Sequence, residues 1–255
     1  MTTNSRLLKI MDLFTLKQPV ISARQLMKAL DASRASIYRD LAQLSSAGWI
    51  EKVADRGYAL GPRIIEMDRQ IRLADNLLEA SVGLLDRLSE ETSGVILLCR
   101  VHGDKIICIY QAGRTIPKLS ISYERGRAMP LYRGATSKIV LAHLPAVHIA
   151  RLWATDRDSL VRAGWPDSYG ALEAALAAIR AKGHCMAEGE VDPDAVGYAV
   201  PLKDGEHLLG SLSTVLPARS ATEMDKSVAL ARLKSTAIRI EGRLQDQRER
   251  MRSAS

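Results

Sequence analysis

Residues 22–60, SARQLMKALDASRASIYRDLAQLSSAGWIEKVADRGYAL, constrain this chain more than any other stretch. Ser22 is placed to cap a short helix that carries Ala23, Leu26, Met27 and Leu30 inward. Asp31-Ala32 breaks that helix. Ser33 caps a second one, in which Ile37, Leu41 and Leu44 fall at i, i+4 and i+7 on one buried stripe. Gly48 ends it. Two β-prone runs follow, residues 49–53 and 58–60, joined by Ala54-Asp55-Arg56-Gly57. Gly57 suits the positive φ that such a hairpin turn needs. Helix, turn, helix and a two-stranded wing make a winged helix-turn-helix.

The second helix carries the residues of a DNA reader. A recognition helix presents its first turns to base edges and phosphates, so donors and small side chains belong there. Ser33 and Ser36 can donate to phosphate oxygens, as can the free N–H groups of the helix start. Arg34 and Arg39 can neutralise phosphate or reach guanine, and Tyr38 lies on the same exposed surface. With Arg24 on the preceding helix and Arg56 in the wing, these residues are the candidate contacts to double-stranded operator DNA. Charge agrees: residues 1–62 hold nine Lys/Arg against five Asp/Glu, within a chain of formal net charge +7. The alternative is a sensor or interaction module whose degenerate winged helix no longer binds DNA. The intact basic helix weighs against it.

Length predicts two domains, since 255 residues exceed one ordinary core. No apolar run approaches the ~18–20 residues that span a bilayer, and the start, MTTNSRLLKIMDLF, reads as an amphipathic helix and not as a signal peptide. Cys99, Cys108 and Cys185 are too few and too scattered for a disulfide framework, which places the chain in a reducing cytoplasm with no membrane partner. After Gly61-Pro62, Leu60, Ile64, Met67, Ile71, Ala74, Leu78, Ser81, Leu85 and Leu88 recur at steps of three and four. We read a linker helix over 62–74, pairing across a dimer, then a domain-founding helix over 76–92. The domains are thus 1–61 (winged helix), 62–75 (linker) and 76–255.

From Gly94 the pattern turns β. Strands are predicted at 95–101, 105–111, 118–123, 184–189, 198–202 and 208–216, with helices after Gly134, over 146–153, over 172–182 and from about 223 to 250. Strands and helices mix without βαβ alternation, so the second domain is α+β with a largely antiparallel sheet.

Four segments carry a resemblance over nearly the whole chain: ARQLMKALDASRASIYRDLAQLSSAGWIEK, MPLYRGATSKIVLAHLP, IRAKGHCMAEGE, and the pair VGYAVPL and GSLSTVLP. In order and spacing they resemble the IclR family of bacterial transcriptional regulators. That resemblance implies a winged helix, a linker helix and a GAF-like α/β effector-binding domain, acting as a homodimer or a dimer of dimers on operator DNA. Two departures fall where ligands bind in the family: Ser137 before the lysine where members often have glycine, and Gly183-His184-Cys185-Met186-Ala187-Glu188 where they often have an earlier acidic residue.

The residues point to the same site. Gly134-Ala135-Thr136-Ser137-Lys138 opens a helix whose free N–H groups and dipole suit a carboxylate. Ser211, Ser213 and Val215 share one face of a strand. The resemblance assigns Ala135, Thr136, Ser213 and Val215 to effector-lining positions, with Ala187 or Glu188 and Gly197 on facing strands, and Met129, Leu131 and Tyr198 are candidates for an apolar wall. The expected effector is a small organic acid or related metabolite. An enzyme is not expected. Histidines 102, 143, 148, 184 and 207 show no metal spacing, Cys99-x-x-His102 is a lone pair, and no G-x-S-x-G, P-loop or G-x-G-x-x-G occurs. Glu188 and Glu190, two apart, would share a strand face as an acid/base pair, but surface carboxylates are the commoner reading. No cofactor and no metal is implied.

Overall fold

A computed structural model describes residues 3–113 and 121–253. The chain divides into two compact units, Met1–Asp75 and Asn76–Ser255. The first contains α1 (Thr3–Asp12), α2 (Ala23–Leu30), α3 (Arg34–Ser46), β1 (Ile50–Val53), β2 (Gly57–Leu60) and α4 (Arg63–Ala74). Ser22 starts α2 with a reciprocal cap: its hydroxyl accepts from the Gln25 N–H, and the Gln25 side chain accepts from the Ser22 N–H. Asp31 closes α2 in the left-handed region, with φ 45°. Ser33 then caps α3, which buries Ile37, Leu41 and Leu44 against Ile10, Ile21, Leu26 and Ile50. Asp40 is fully buried on α3 and is held by both Nε and Nη2 of Arg6 from α1. Removing one partner of such a buried pair typically costs about 3–5 kcal/mol, so the pair fixes α1 on the recognition helix.

The wing is antiparallel, with Ile50 opposite Leu60 and Val53 opposite Gly57. Ile21 joins it as a third strand, exchanging two backbone hydrogen bonds with Tyr58 at 2.8 and 2.9 Å. Gly57 sits at φ 131°, and a Cβ there would lie 2.5 Å from the Ile21 carbonyl oxygen. Only glycine fits that approach. Helix α4 buries no residue, and Ile65, Ile71 and Leu73 stand 73%, 64% and 70% exposed.

The second unit runs α5 (Asn76–Thr92), β3 (Val95–His102), β4 (Lys105–Ala112), β5 (Ala128–Pro130), α6 (Ala135–His143), α7 (Ala146–Arg162), α8 (Tyr169–Lys182), β6 (Cys185–Glu188), β7 (Ala195–Asp204), β8 (His207–Pro217) and α9 (Glu223–Ser253). Six strands form one antiparallel sheet in the order β5-β4-β3-β8-β7-β6. Side chains alternate between its faces. One face, with Ile96, Leu98, Val200, Leu202 and Leu212, packs on α5 and α9 through Leu77, Leu85, Leu88, Leu233 and Ile240. The other, with Val95, Leu97, Cys99, Ala199 and Val215, packs on α6, α7 and α8. Thus the Leu78–Ser81–Leu85–Leu88 half of the sequence's long stripe is core, while in the other half Ile64 and Met67 are half-buried and Ile71 is exposed.

Several elements outrun their sequence patterns. Helix α7 extends to Arg162 past a break at Asp156 (φ −131°), and α8 begins at Tyr169 under a Ser168 cap and ends at Gly183 with φ 64°. Strand β7 covers ten residues where five were expected. Of the strand expected over 118–123, residues 118–120 lie outside the described residues and 121–123 are irregular.

Gly57→Ala should destabilise the wing by roughly 1–3 kcal/mol, from left-handed strain and the clash with Ile21. Amide hydrogen exchange checks it: Ile21 and Tyr58 should lose protection while the β3–β8 ladder keeps its own. Unchanged protection at both amides would contradict the geometry.

Candidate functional site

Two sets of predicted residues need placing. On the first unit, Arg24, Arg34, Tyr38, Arg39, Ser33 and Arg56 are all exposed, and Ser36 is half-buried. Ser33 accepts from the Ser36 N–H at 3.3 Å and donates to the Ser36 hydroxyl at 3.1 Å, so each serine is partly committed to the cap. The Arg34 guanidinium lies 5.5 Å from the centre of the Tyr38 ring, one turn away. Stacking of this kind restrains a long side chain before it meets a partner. Arg56 sits in the single 3₁₀ turn at the tip of the wing.

On the second unit, the start of α6 lies against strands β6, β7 and β8. Ala187, Gly197 and Val215 are register partners on adjacent strands, so they form one lane of small and branched side chains across the sheet. A Cβ on Gly197 would sit 3.7 Å from the Ala135 methyl, which measures how closely the helix approaches. Gly134 begins α6 at φ 79°, and a Cβ there would come within 2.8 Å of Val191. The result is a half-open cleft with about 40 Å³ of free space, bounded by Tyr123, Gly134, Ala135, Thr136, Ala187, Glu190, Val191, Asp192, Ala195, Gly197 and Val215.

Its walls are tied by hydrogen bonds. Thr136 and Ser213 share a hydroxyl bond of 2.9 Å, and the Ser211 hydroxyl donates to the Thr136 carbonyl at 3.2 Å. Tyr123 donates to the Arg133 carbonyl at 2.8 Å, so the Ser137 hydroxyl is the donor in its 2.7 Å bond to the phenol. Burial pushes the Tyr123 phenol far above its ordinary pKa, which keeps it neutral and a donor. Asp192 accepts from the Ser122 N–H at 2.8 Å and from its hydroxyl at 2.6 Å, joining two loops over the cavity. Glu190 pairs with Lys138 at 2.5 Å and accepts the Gly134 N–H at 3.1 Å, while Arg133 Nε reaches the Glu190 carbonyl at 2.5 Å.

Of the predicted pocket residues, the structure brings together Ala135, Thr136, Ala187, Gly197 and Val215. Ser211, Ser213 and Ser137 lie one layer behind, their hydroxyls satisfied within the protein. Five expectations need correction. Glu188 and Tyr198 point to the opposite face: Glu188 pairs with Val196 and Tyr198 with Thr214, out of step with the Ala187–Gly197–Val215 lane. Met129 and Leu131 sit at the other end of the sheet, because β5 is its far edge; Leu131 lines a separate groove with Gly103, His148 and Leu152. Nor do Glu188 and Glu190 share a face. Gly189, at φ 66°, turns the chain between them, leaving Glu188 exposed and sending Glu190 to α6. Sequence reading missed Tyr123, Val191, Asp192 and Ala195 as well as the role of Glu190. The Gly189-to-Asp194 run signalled a loop but not what it covers.

The three cysteines are free and buried, and burial pushes the Cys185 thiol up to about 11. No group of metal-ligating side chains exists among the described residues, nor any helix long and apolar enough to cross a membrane.

Comparison with known proteins settles the class. The family model described as "Bacterial transcriptional regulator IclR C-terminal" matches residues 73–241, and one described as "HTH domain" matches residues 6–59. The chain belongs to the IclR family. It is a DNA-binding transcriptional regulator and not an enzyme. Among curated relatives, the Pca regulon regulatory protein of Pseudomonas putida is 23% identical over 205 residues, covering 80% of this chain and 70% of its own length. The HTH-type transcriptional regulator BhcR of Paracoccus denitrificans is 24% identical over 200 residues, covering 78% and 71%. Among solved structures, an IclR homolog complexed with 4-hydroxybenzoate from Microbacterium hydrocarbonoxydans superposes with a TM-score of 0.76 at 17% identity, over 96% of this chain and 100% of that one. The Thermotoga maritima IclR gives 0.70 at 19% identity, over 95% and 98%. These likenesses confirm the two-part IclR architecture.

Tyr123→Phe should cost about 1–3 kcal/mol, because it leaves the Arg133 carbonyl and the Ser137 hydroxyl without a partner. Urea unfolding of the two proteins under one condition measures it. A difference below ~0.5 kcal/mol would mean that the phenol holds neither group in solution.

Proposed function

We propose that this IclR regulator controls a catabolic or metabolic operon in the cytoplasm, and that a small organic acid or related metabolite entering the α6 cavity sets its affinity for a partly palindromic operator. The observation that carries the reading is the half-open cleft between the small-residue start of α6 and the Ala187–Gly197–Val215 lane. An aromatic acid, 4-hydroxybenzoate, occupies the Microbacterium homolog, which supports an acid as the chemical class here. Ala135 and Thr136 offer backbone N–H groups at a helix start, and Ser213 supports the Thr136 hydroxyl from behind.

Operator reading belongs to Arg34, Tyr38 and Arg39, with Ser33, Ser36, Arg24 and Arg56 as flanking contacts to phosphate. A protein that reads two half-sites acts as a dimer or a dimer of dimers. The uncovered apolar residues of α4 suit a helix from a second subunit. Effector binding would shift the population of linker-helix arrangements. A coupling of about 1–3 kcal/mol corresponds to roughly 5–150-fold regulation.

Arg34→Ala and Arg39→Ala should each weaken operator binding without unfolding the protein, because neither side chain is buried. A bidentate guanine contact would cost about 1–3 kcal/mol at that base, whereas a phosphate contact would lower affinity evenly and flatten the salt dependence. Mobility-shift titrations at several salt concentrations separate the two. Unchanged affinity in both variants and their double would remove this placement.

Thr136→Phe should fill the cavity outright. Calorimetric titration with candidate carboxylic acids should show binding to wild type and at least tenfold weaker binding to the variant, with ligand-free operator affinity retained. Normal acid affinity in Thr136→Phe would put the effector elsewhere.

A further inference from the structure

The cleft at α6 is half open and holds little free space for the ligand assigned to it. About 40 Å³ has room for a water molecule or a few, so an organic acid is buried there only if one wall moves. Tyr123 is held by two hydrogen bonds, Thr136 by Ser213, and Asp192 by two bonds to Ser122. Val191 stands against Gly134, where the backbone allows no slack. Glu190 differs from all of these. Its side chain is 29% exposed, it has rotatable bonds to spare, and its backbone is pinned separately through Arg133 and through the Asp192 anchor. It can swing towards solvent while the loop stays in place.

The contacts Glu190 makes are those an acid would seek. One oxygen takes the Lys138 ammonium at 2.5 Å, and the other takes the Gly134 N–H at the start of α6. Lys138 is 17% exposed and has the Trp165 ring 5.5 Å away, so it is a cation with little water around it. If Glu190 left without replacement, that charge would be stranded. If a ligand carboxylate took its place, both contacts would be restored.

We infer that Glu190 is a resident carboxylate standing in for the effector, and that a ligand of the monocarboxylate class binds by exchanging with it on Lys138 and the Gly134 N–H. The body of the ligand then lies along the Ala187–Gly197–Val215 lane, in the volume Glu190 vacates. The exchange sets the chemical class, because only an anion can replace Glu190 without stranding Lys138. It also limits wild-type affinity, since every ligand competes with a tethered carboxylate. This rests on the α6 cavity being the effector site.

The test uses the full chain and sodium acetate as the probe, with chloride balancing the ionic strength. Glu190→Ala empties the carboxylate position. Its Tm should rise by about 3–5 °C at acetate concentrations tenfold above Kd. Wild type over the same range should move by less than about 1 °C, the signal expected of a site already filled. Adding Lys138→Met should abolish the response. An equal response in wild type and Glu190→Ala, or one that survives Lys138→Met, overturns the proposal. Should Glu190→Ala fail to fold, Glu190→Gln decides: the amide is nearly isosteric but uncharged, and [1-13C]acetate should bind at least tenfold tighter than to wild type by NMR titration. Equal affinities would overturn it. Acetate exchange depends only on Glu190 and Lys138, whereas the Thr136→Phe titration depends on where the effector goes. The two readings can therefore fail separately.

Discussion

The second unit is organised by one contact: the start of α6 pressed on strands β7 and β8 with no large side chain between. Thr136 makes it possible. Its hydroxyl bonds Ser213 and its carbonyl accepts from Ser211, so polar groups that burial would otherwise penalise are satisfied across the interface. Three hydroxyls, one alanine and one glycine bring a helix start to within 3.7 Å of where a Gly197 side chain would be. Helix N–H groups, the small-residue lane and the two covering loops all meet there because of that approach.

The loops complete the enclosure by different means. Asp192 ties its loop to Ser122 through two neutral donors, a backbone N–H and a hydroxyl. Glu190 ties the same loop to α6 through an ion pair and a backbone N–H, which an incoming anion can take over. A regulator needs both properties at one site: a wall that stays and a wall that yields. In the first unit the Arg6–Asp40 pair ties α1 to α3 and the Ile21–Tyr58 bridge ties the segment before α2 to the wing, while Arg34, Tyr38 and Arg39 stand exposed on α3.

Much of this was legible in the chain. The caps at Ser22, Ser33 and Gly183 are local events, decided by a residue and its neighbours within one turn, and they fall where the sequence places them. The long Leu60-to-Leu88 stripe was legible as a helical pattern, but its pattern could not say that Leu78, Ser81, Leu85 and Leu88 are core while Ile64 and Met67 are only half-buried and Ile71 is exposed. Five of the predicted pocket residues do line the cavity. The misplacements share one cause. Met129, Leu131 and Tyr198 were candidates for their apolar character and Glu188 as the resemblance's alternative to Ala187, whereas membership depends on strand order and on which face a side chain takes.

By itself, the sequence determined the IclR class, the winged helix, the two-part architecture and the helix start that borders the cavity. Each of these is written in short-range chemistry: capping hydroxyls, periodic apolar residues, glycines at positive φ. Only the tertiary structure decided that β5 is remote from the site, that Gly189 turns Glu190 away from Glu188, and that Glu190 rests on Lys138, 52 positions away in the chain. Those facts follow from strand order, from one residue's left-handed backbone and from a long-range ion pair. None of them leaves a periodic trace, because what decides them is the partner that folding brings and not the neighbour the chain supplies.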